Sequence, residues 1–281
     1  MKKLMVLLLV VLALSISACK KFFDIPGGQP GGVTHKVSFR FSGLNHNVGE
    51  TNLGMQTEPL KNYMSQLTVI AYDAKTGEEV QRNTQFSTLL DFGDFNFTLK
   101  PAQYRFVAIG SNSPFGINQF YKLDTIPVKL PYQEARMEYI QETFDPYNRH
   151  YATSDTFLAK KIMTINNDQT VELIMERIVG KLEFEVLDSP DFKLSELYDE
   201  RTVYKLSTDS VMSRVRNYTF PEFTVVNGKI SLYILNTQGT LAIESGVWGH
   251  PLYIQDLRVY RNKTTLVKVN ILRDEYTVTV K

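Results

Sequence analysis

Cys19 is the only cysteine in 281 residues, so no intrachain disulfide can staple the fold and no thiolate metal cluster can form. The four histidines, His35, His46, His150 and His250, are scattered. None has the HxxxH or HExxH spacing that puts two imidazoles on one helix face. GxSxG, Walker A and GxGxxG are absent. No metal, cofactor or catalytic residue is therefore expected, and the chain does not read as an enzyme. Charge of one sign is missing too. Lys and Arg number 31 against 30 Asp and Glu, which gives nucleic acid no electrostatic footprint to recognise. Past residue 18 no apolar run approaches the roughly 20 residues that span a bilayer.

The cysteine's position carries more than its rarity. Met1-Lys2-Lys3 is a basic n-region, and Leu4 to Ile16 is an apolar h-region of thirteen residues. Ile16-Ser17-Ala18-Cys19 then reads as a lipobox, with small residues where a signal peptidase must bind the chain extended. The expectation is a signal peptide over residues 1–18 and acylation of Cys19, palmitate included. Acyl chains contribute about 0.8 kcal/mol per buried CH2, so two or three hold a chain in a membrane where one holds only marginally. Removing the signal takes Lys2 and Lys3 with it and leaves 263 residues of net charge −1. Gly27-Gly28-Gln29-Pro30-Gly31-Gly32 holds no regular element, so residues 19–32 read as a lipidated tether.

The chain as a whole is rich in strand formers: 17 Phe and 15 Tyr, with abundant Val and Thr. Val37, Phe39 and Phe41 alternate with Ser38, Arg40 and Ser42, the mark of a half-buried strand. Leu67-Val69-Ala71 and Phe95-Phe97-Leu99 repeat the pattern. Tyr104 to Ile109 is apolar nearly throughout, as in a strand covered on both faces. Asp73-Ala74-Lys75-Thr76-Gly77 lacks the acidic third and fifth positions of a calcium loop and reads as a hairpin turn. In the second half Leu182, Phe184 and Val186 alternate with Lys181, Glu183 and Glu185. Strands are expected near 202–206, 220–226, 229–235, 240–247, 252–260 and 266–271. Tyr276, Val278 and Val280 alternate with Thr277, Thr279 and Lys281 at the end of the sequence. Gln133 to Phe144 and Phe192 to Glu200 are the two stretches that suggest short helices. The whole reads as all-β, with sandwich domains over 33–175 and 176–281.

The order of three segments carries a resemblance. A lipobox is followed by Leu67-Thr68-Val69-Ile70-Ala71-Tyr72-Asp73-Ala74-Lys75-Thr76-Gly77, then by Leu99-Lys100-Pro101-Ala102-Gln103-Tyr104-Arg105-Phe106-Val107-Ala108. Glu176-Arg177-Ile178-Val179-Gly180-Lys181-Leu182-Glu183-Phe184 opens the second half. This arrangement resembles the fimbrillin superfamily of type V pili, most closely its lipid-anchored anchor subunits. Ala102-Gln103 stands where the family's turn usually has a glycine. The resemblance implies two tandem transthyretin-like β-sandwiches, a place in the outer membrane through lipid on Cys19, and partnership with other fimbrial subunits, as anchor or minor component, in pilus assembly and adhesion. It also implies that shaft subunits lose their N-terminal segment to an arginine-specific protease and accept a neighbour's last strand. Here the first arginine after Cys19 is Arg40, inside a strand, and the loop Gly43 to Leu60 has none. That favours the uncut anchor. Tyr276, Val278 and Val280 are the candidate strand-exchange segment.

A second class competes. Surface lipoproteins that bind glycans for nutrient uptake are also tandem β-sandwiches, so fold alone does not separate the two. Trp248, the single tryptophan, with Tyr253 nearby, is the aromatic feature that a sugar ring would use; a core or rim aromatic between turn glycines is the simpler reading.

Overall fold

The computed structural model describes residues 32–45, 59–118, 128–140, 153–188, 192–200, 203–212, 216–219, 228–235, 237–245 and 251–281. His35–Lys281 forms one compact unit. Its strands are β1 (His35–Asn45), β2 (Gln66–Asp73), β3 (Glu79–Phe86), β4 (Asn96–Leu99), β5 (Ala102–Ser111), β6 (Phe115–Ile117), β7 (Arg136–Tyr139), β8 (Thr156–Ile165), β9 (Gln169–Arg177) and β10 (Val179–Val186). They continue as β11 (Phe192–Glu200), β12 (Val203–Lys205), β13 (Ser210–Val211), β14 (Arg216–Thr219), β15 (Lys229–Leu235), β16 (Thr237–Ser245), β17 (Pro251–Val259), β18 (Thr264–Asn270) and β19 (Glu275–Val280). Two 3-10 turns, Leu60–Asn62 and Ile271–Arg273, are the helical pieces among the described residues. The chain is all-β, as its alternation implies.

Seven strands of the first half make one sheet in the order β3-β2-β5-β8-β9-β1-β4. It curls around an apolar interior that takes Val37 and Phe39 from β1, Leu67, Val69 and Ala71 from β2, Phe97 from β4, and Phe106 from β5. The two edge strands meet through a side chain, the Thr98 N–H of β4 donating to Gln81 Oε1 of β3 at 3.3 Å, and the turn before β4 is held the same way. Gln85 of β3 donates from Nε2 to the Asp94 carbonyl and accepts from the Gly93 N–H at Oε1, each at 2.8 Å. Buried glutamine thus caps backbone groups that an open edge would leave to water. The expected hairpin turn is present: Asp73 Oδ1 accepts from the backbone N–H groups of Lys75 and Thr76, both at 2.8 Å, and Gly77 has φ +79°. These two bonds hold the Asp73 carboxyl below its ordinary range.

β2 and β5 are covered on both faces, as the apolar run at 104–109 implies. Leu67, Val69 and Phe106 face the curled interior, while Ile70, Tyr72, Val107 and Ile109 join a second cluster. That cluster runs through the small sheet β13-β12-β7-β6 into the two four-stranded sheets of the second half, β15-β10-β18-β19 and β14-β11-β16-β17. The small sheet joins the halves directly, with Tyr204 of β12 opposite Met137 of β7.

Both suggested helices are corrected. Phe192–Glu200 is β11, paired with β14 and β16. A register shift between Leu194 and Glu196 inserts a residue, so the apolar positions 192, 194, 197 and 198 take on a helix-like spacing within a bulged strand. Of Gln133 to Phe144, Arg136–Tyr139 is β7, held between β6 and β12; residues 141–144 lie outside the described residues. Pairing on both sides overrides the local preference. The strand expected at 220–226 also lies outside them.

The segment that opens the second half is explained by packing. Arg177, buried at the end of β9, donates from Nε to Asp155 Oδ1 at 2.6 Å and lies between the rings of Phe157 and Tyr233, at 5.6 and 5.4 Å. Its own carbonyl accepts from Arg261 Nε at 3.0 Å. Three residues on, a Cβ at Gly180 would stand 2.3 Å from the Tyr260 carbonyl oxygen. Backbone cannot yield there as a side-chain tip can, so Gly180→Ala is expected to cost about 1–3 kcal/mol or more, read as a lower thermal midpoint. An unchanged midpoint would show that β10 and the turn after β17 are not in close contact.

Candidate functional site

Three places among the described residues bear most on chemistry or contact, and two of them are structural. Lys160 Nζ donates to the Leu206 carbonyl and to Asp209 Oδ1, the latter at 2.6 Å; Tyr204 donates to the same carboxylate oxygen at 3.1 Å. Tyr132 donates to the Leu206 carbonyl at 3.0 Å, beneath the Arg105 guanidinium 4.1 Å above its ring. Burial pulls the Lys160 ammonium below its usual range, and the Asp209 contact partly restores it. The polar atoms of this seam are spent on fastening the 206–209 turn to the curled sheet, which makes it a clasp. The second place is a surface pair: His35 lies 3.6 Å from Asp168, whose Oδ1 also accepts the Lys36 N–H at 2.8 Å. Among the described residues no group of three His, Cys, Asp or Glu side chains is placed to hold a metal ion, and no helix is long and apolar enough to cross a membrane.

The third place is β19. Among the described residues it pairs with β18 alone, antiparallel, at the margin of its sheet. Tyr276, Val278 and Val280 stand opposite Val269, Val267 and Thr265. Residues directly opposed in an antiparallel pair share a face, so the apolar row of β19 continues the buried row of β18. The cover stops short of it: Val267, Val269 and Thr265 are 0% exposed, whereas Tyr276, Val278 and Val280 are 40%, 41% and 46% exposed. Leu272, just before the strand, is exposed as well. The opposite face of the same sheet is charged and satisfied. Glu185 lies 3.3 Å from Lys229 and 3.2 Å from Lys268, and their hydrogen bonds hold its carboxyl below the ordinary range.

Backbone polarity gives β19 its second property. Lys281 and Thr264 exchange both main-chain hydrogen bonds, at 2.8 and 3.2 Å. Antiparallel pairs alternate, so Glu275, Thr277 and Thr279 address β18. Tyr276, Val278 and Val280 direct their N–H and C=O groups to the open margin. The margins at β15 and β17 are blunted. The Tyr233 carbonyl of β15 accepts from Thr153 Oγ1 at 2.6 Å. β17 begins at Pro251, carries Asp256 at φ +53° and faces a register shift in β16.

Of the residues singled out in the sequence, Tyr276, Val278 and Val280 are brought together on one strand face. Ile16, Ser17, Ala18, Cys19, His46, His150, His250 and Trp248 lie outside the described residues; Tyr253 is an exposed residue of β17. Arg40 is exposed on β1, opposite Glu172 of β9, between buried Phe39 and half-buried Phe41. Sequence reasoning missed Gln85, the Arg177–Asp155 pair and the Lys160 clasp. Gly180 alone carried a usable sign, since glycine inside a strand often marks close backbone approach.

Among the described residues the fold is all-β, and β19 leaves an apolar row uncovered at a sheet margin. The family comes from comparison with known proteins. The family model of the fimbrillin-A associated anchor proteins Mfa1 and Mfa2 matches residues 29–219, and the chain belongs to that family. It is a fimbrial subunit, with a role in pilus assembly. Its fold is similar to that of the fimbrial anchor protein Mfa2 from Porphyromonas gingivalis (16% identity, 89% of this chain and 97% of that one, TM-score 0.55). It is also similar to a structure assigned as an adhesin from Bacteroides thetaiotaomicron (14% identity, 90% and 98%, TM-score 0.58). A third, from the same species and assigned as polysaccharide-binding, aligns at 10% identity over 88% and 97% with TM-score 0.58. No curated protein matches the chain.

Proposed function

We propose that this subunit is the lipid-anchored member at the membrane end of its fimbria. Residues 1–18 are removed, Cys19 is acylated and embedded in the outer membrane, and residues 19–32 space two tandem sandwiches, 33–175 and 176–281, from the surface. The observation that carries the reading is Ile16-Ser17-Ala18-Cys19 after a basic and an apolar stretch, joined to membership of an anchor-protein family. Contact is made by main-chain pairing at a sheet margin, which needs no active site, and β19 with Tyr276, Val278 and Val280 is the segment that pairs with a neighbouring chain.

Replacing the thiol tests the anchor. Cys19→Ser removes the acceptor of the thioether-linked lipid, and the chain is expected to leave the detergent-extractable membrane fraction with the mass of an unacylated form. Retention at unchanged mass would reject lipid anchoring through this residue.

The placement of Arg40 supports an uncut N-terminal segment. β1 is laddered to β9 from Val37 to Asn45, and the Phe39 N–H donates to the Phe95 carbonyl at 3.1 Å. A protease needs this stretch free and extended, so β1 must first leave the sheet together with buried Val37, Phe39 and Leu44. Folded protein treated with an arginine-specific protease is expected to yield no fragment beginning at Phe41, as read by mass spectrometry. Rapid appearance of that fragment would place the chain with the processed shaft subunits.

A further inference from the structure

We infer that the margin of β19 pairs with β19 of a second copy of this chain, about a two-fold axis through Val278. This rests on the proposed function in taking β19 as the contact strand, and it makes the neighbouring chain at that strand a second copy. The strand's residues, Glu275-Tyr276-Thr277-Val278-Thr279-Val280-Lys281, are complementary to themselves when reversed. With Val278 opposite Val278, Tyr276 meets Val280, Thr277 meets Thr279 and Glu275 meets Lys281.

The backbone agrees with that register. Tyr276, Val278 and Val280 are the residues whose main-chain groups point outward, and this pairing opposes outward residue to outward residue at all three positions. Each such pair exchanges two hydrogen bonds, giving about six across the margin. Opposed residues share a face, so the apolar side chains of the two copies lie on one side, beside the buried rows of the two β18 strands. Opposite charges meet at both ends. Sliding by two residues one way sets Val280 against Asp274 and Lys281 against Arg273; sliding the other way sets Lys281 against Thr277 and parts it from Glu275. The register centred on Val278 therefore satisfies most groups. Because it is isologous it closes after two copies, whereas a head-to-tail strand contact would propagate.

Cysteine cross-linking of the full chain in its membrane tests the pairing. Opposed residues of a hydrogen-bonded pair have Cα atoms about 5.5 Å apart, within disulfide reach. Val278→Cys is expected to give a disulfide-linked band of twice the chain mass under mild oxidation. In Tyr276→Cys the two thiols sit about four residues apart along the pair, roughly 13 Å, and no band is expected; co-expressed Tyr276→Cys and Val280→Cys chains should cross-link. In the Val278→Cys background, Glu275→Lys should lower the yield by about two- to tenfold, the range of opposed charge pairs, and adding Lys281→Glu should restore it. All these side chains are exposed, so unfolding midpoints should stay level and exclude a folding defect. Absence of the Val278→Cys band, an equal band from Tyr276→Cys, failure of the charge swap to restore yield, or a product of another mass containing a different subunit would each overturn the inference. Membrane release by Cys19→Ser is read separately, so the lipid anchor and the pairing can fail independently.

Discussion

Phe184→Asp is expected to abolish the cooperative unfolding transition of the chain. Phe184 is 1% exposed in β10, held between Ile230 of β15 and Val267 of β18. Its ring belongs to the cluster that runs through both four-stranded sheets. An aspartate there would bury a carboxylate with no cation on that face, because Lys181, Glu183 and Glu185 alternate onto the other side. An unpaired buried charge costs several kcal/mol, and the lost aromatic contacts add about 3 kcal/mol or more. Domains have about 5–15 kcal/mol in total, so little remains. Phe184→Leu keeps the face apolar and should still unfold cooperatively. The check is thermal unfolding followed by circular dichroism. A normal transition for Phe184→Asp would mean that the face is not buried as the ladder places it.

Truncation after Arg273 should have the opposite profile: folding kept, assembly lost. It removes β19, whose three apolar side chains are only about half covered. Fully burying such a side chain contributes about 1.5–3 kcal/mol, so the loss is about 3 kcal/mol for the three, below the usual total for a domain. The shortened chain is expected to unfold at a lower temperature but still cooperatively, and to be missing from fibres recovered from cells that express it. Failure to fold would make β19 a core strand. Normal incorporation would remove it from the assembly machinery.

The sequence disclosed the strands that alternate cleanly, and for a physical reason. Where one face is buried and one wet, period-two hydrophobicity is imposed on the chain, as in Val37-Phe39 and Leu182-Phe184-Val186. β11 was hidden because its bulge breaks that period. β7 was hidden because four residues held between two neighbours show no pattern of their own. The Gln85 clasp and the Arg177–Asp155 pair join positions that no local pattern links, and polar residues have no periodicity to announce them. For β19, alternation revealed which residues are apolar, but not that they would be left uncovered. Exposure depends on where the facing sheet stops, which no local stretch encodes. The anchor motif proposed at Cys19 is a linear one, of the kind that a peptidase reads as an extended segment, and so is legible without any fold.

Deleting this chain and counting fimbriae on cells and in the medium puts the anchor role to its plainest trial. If the subunit holds the membrane end, fibres are released: the medium gains them, the cell surface loses them, and adhesion falls. Restoring the intact chain should return the fibres to the cells, while restoring Cys19→Ser should not. Fibres of unchanged number, length and retention on cells lacking the chain would contradict an anchor at the membrane end.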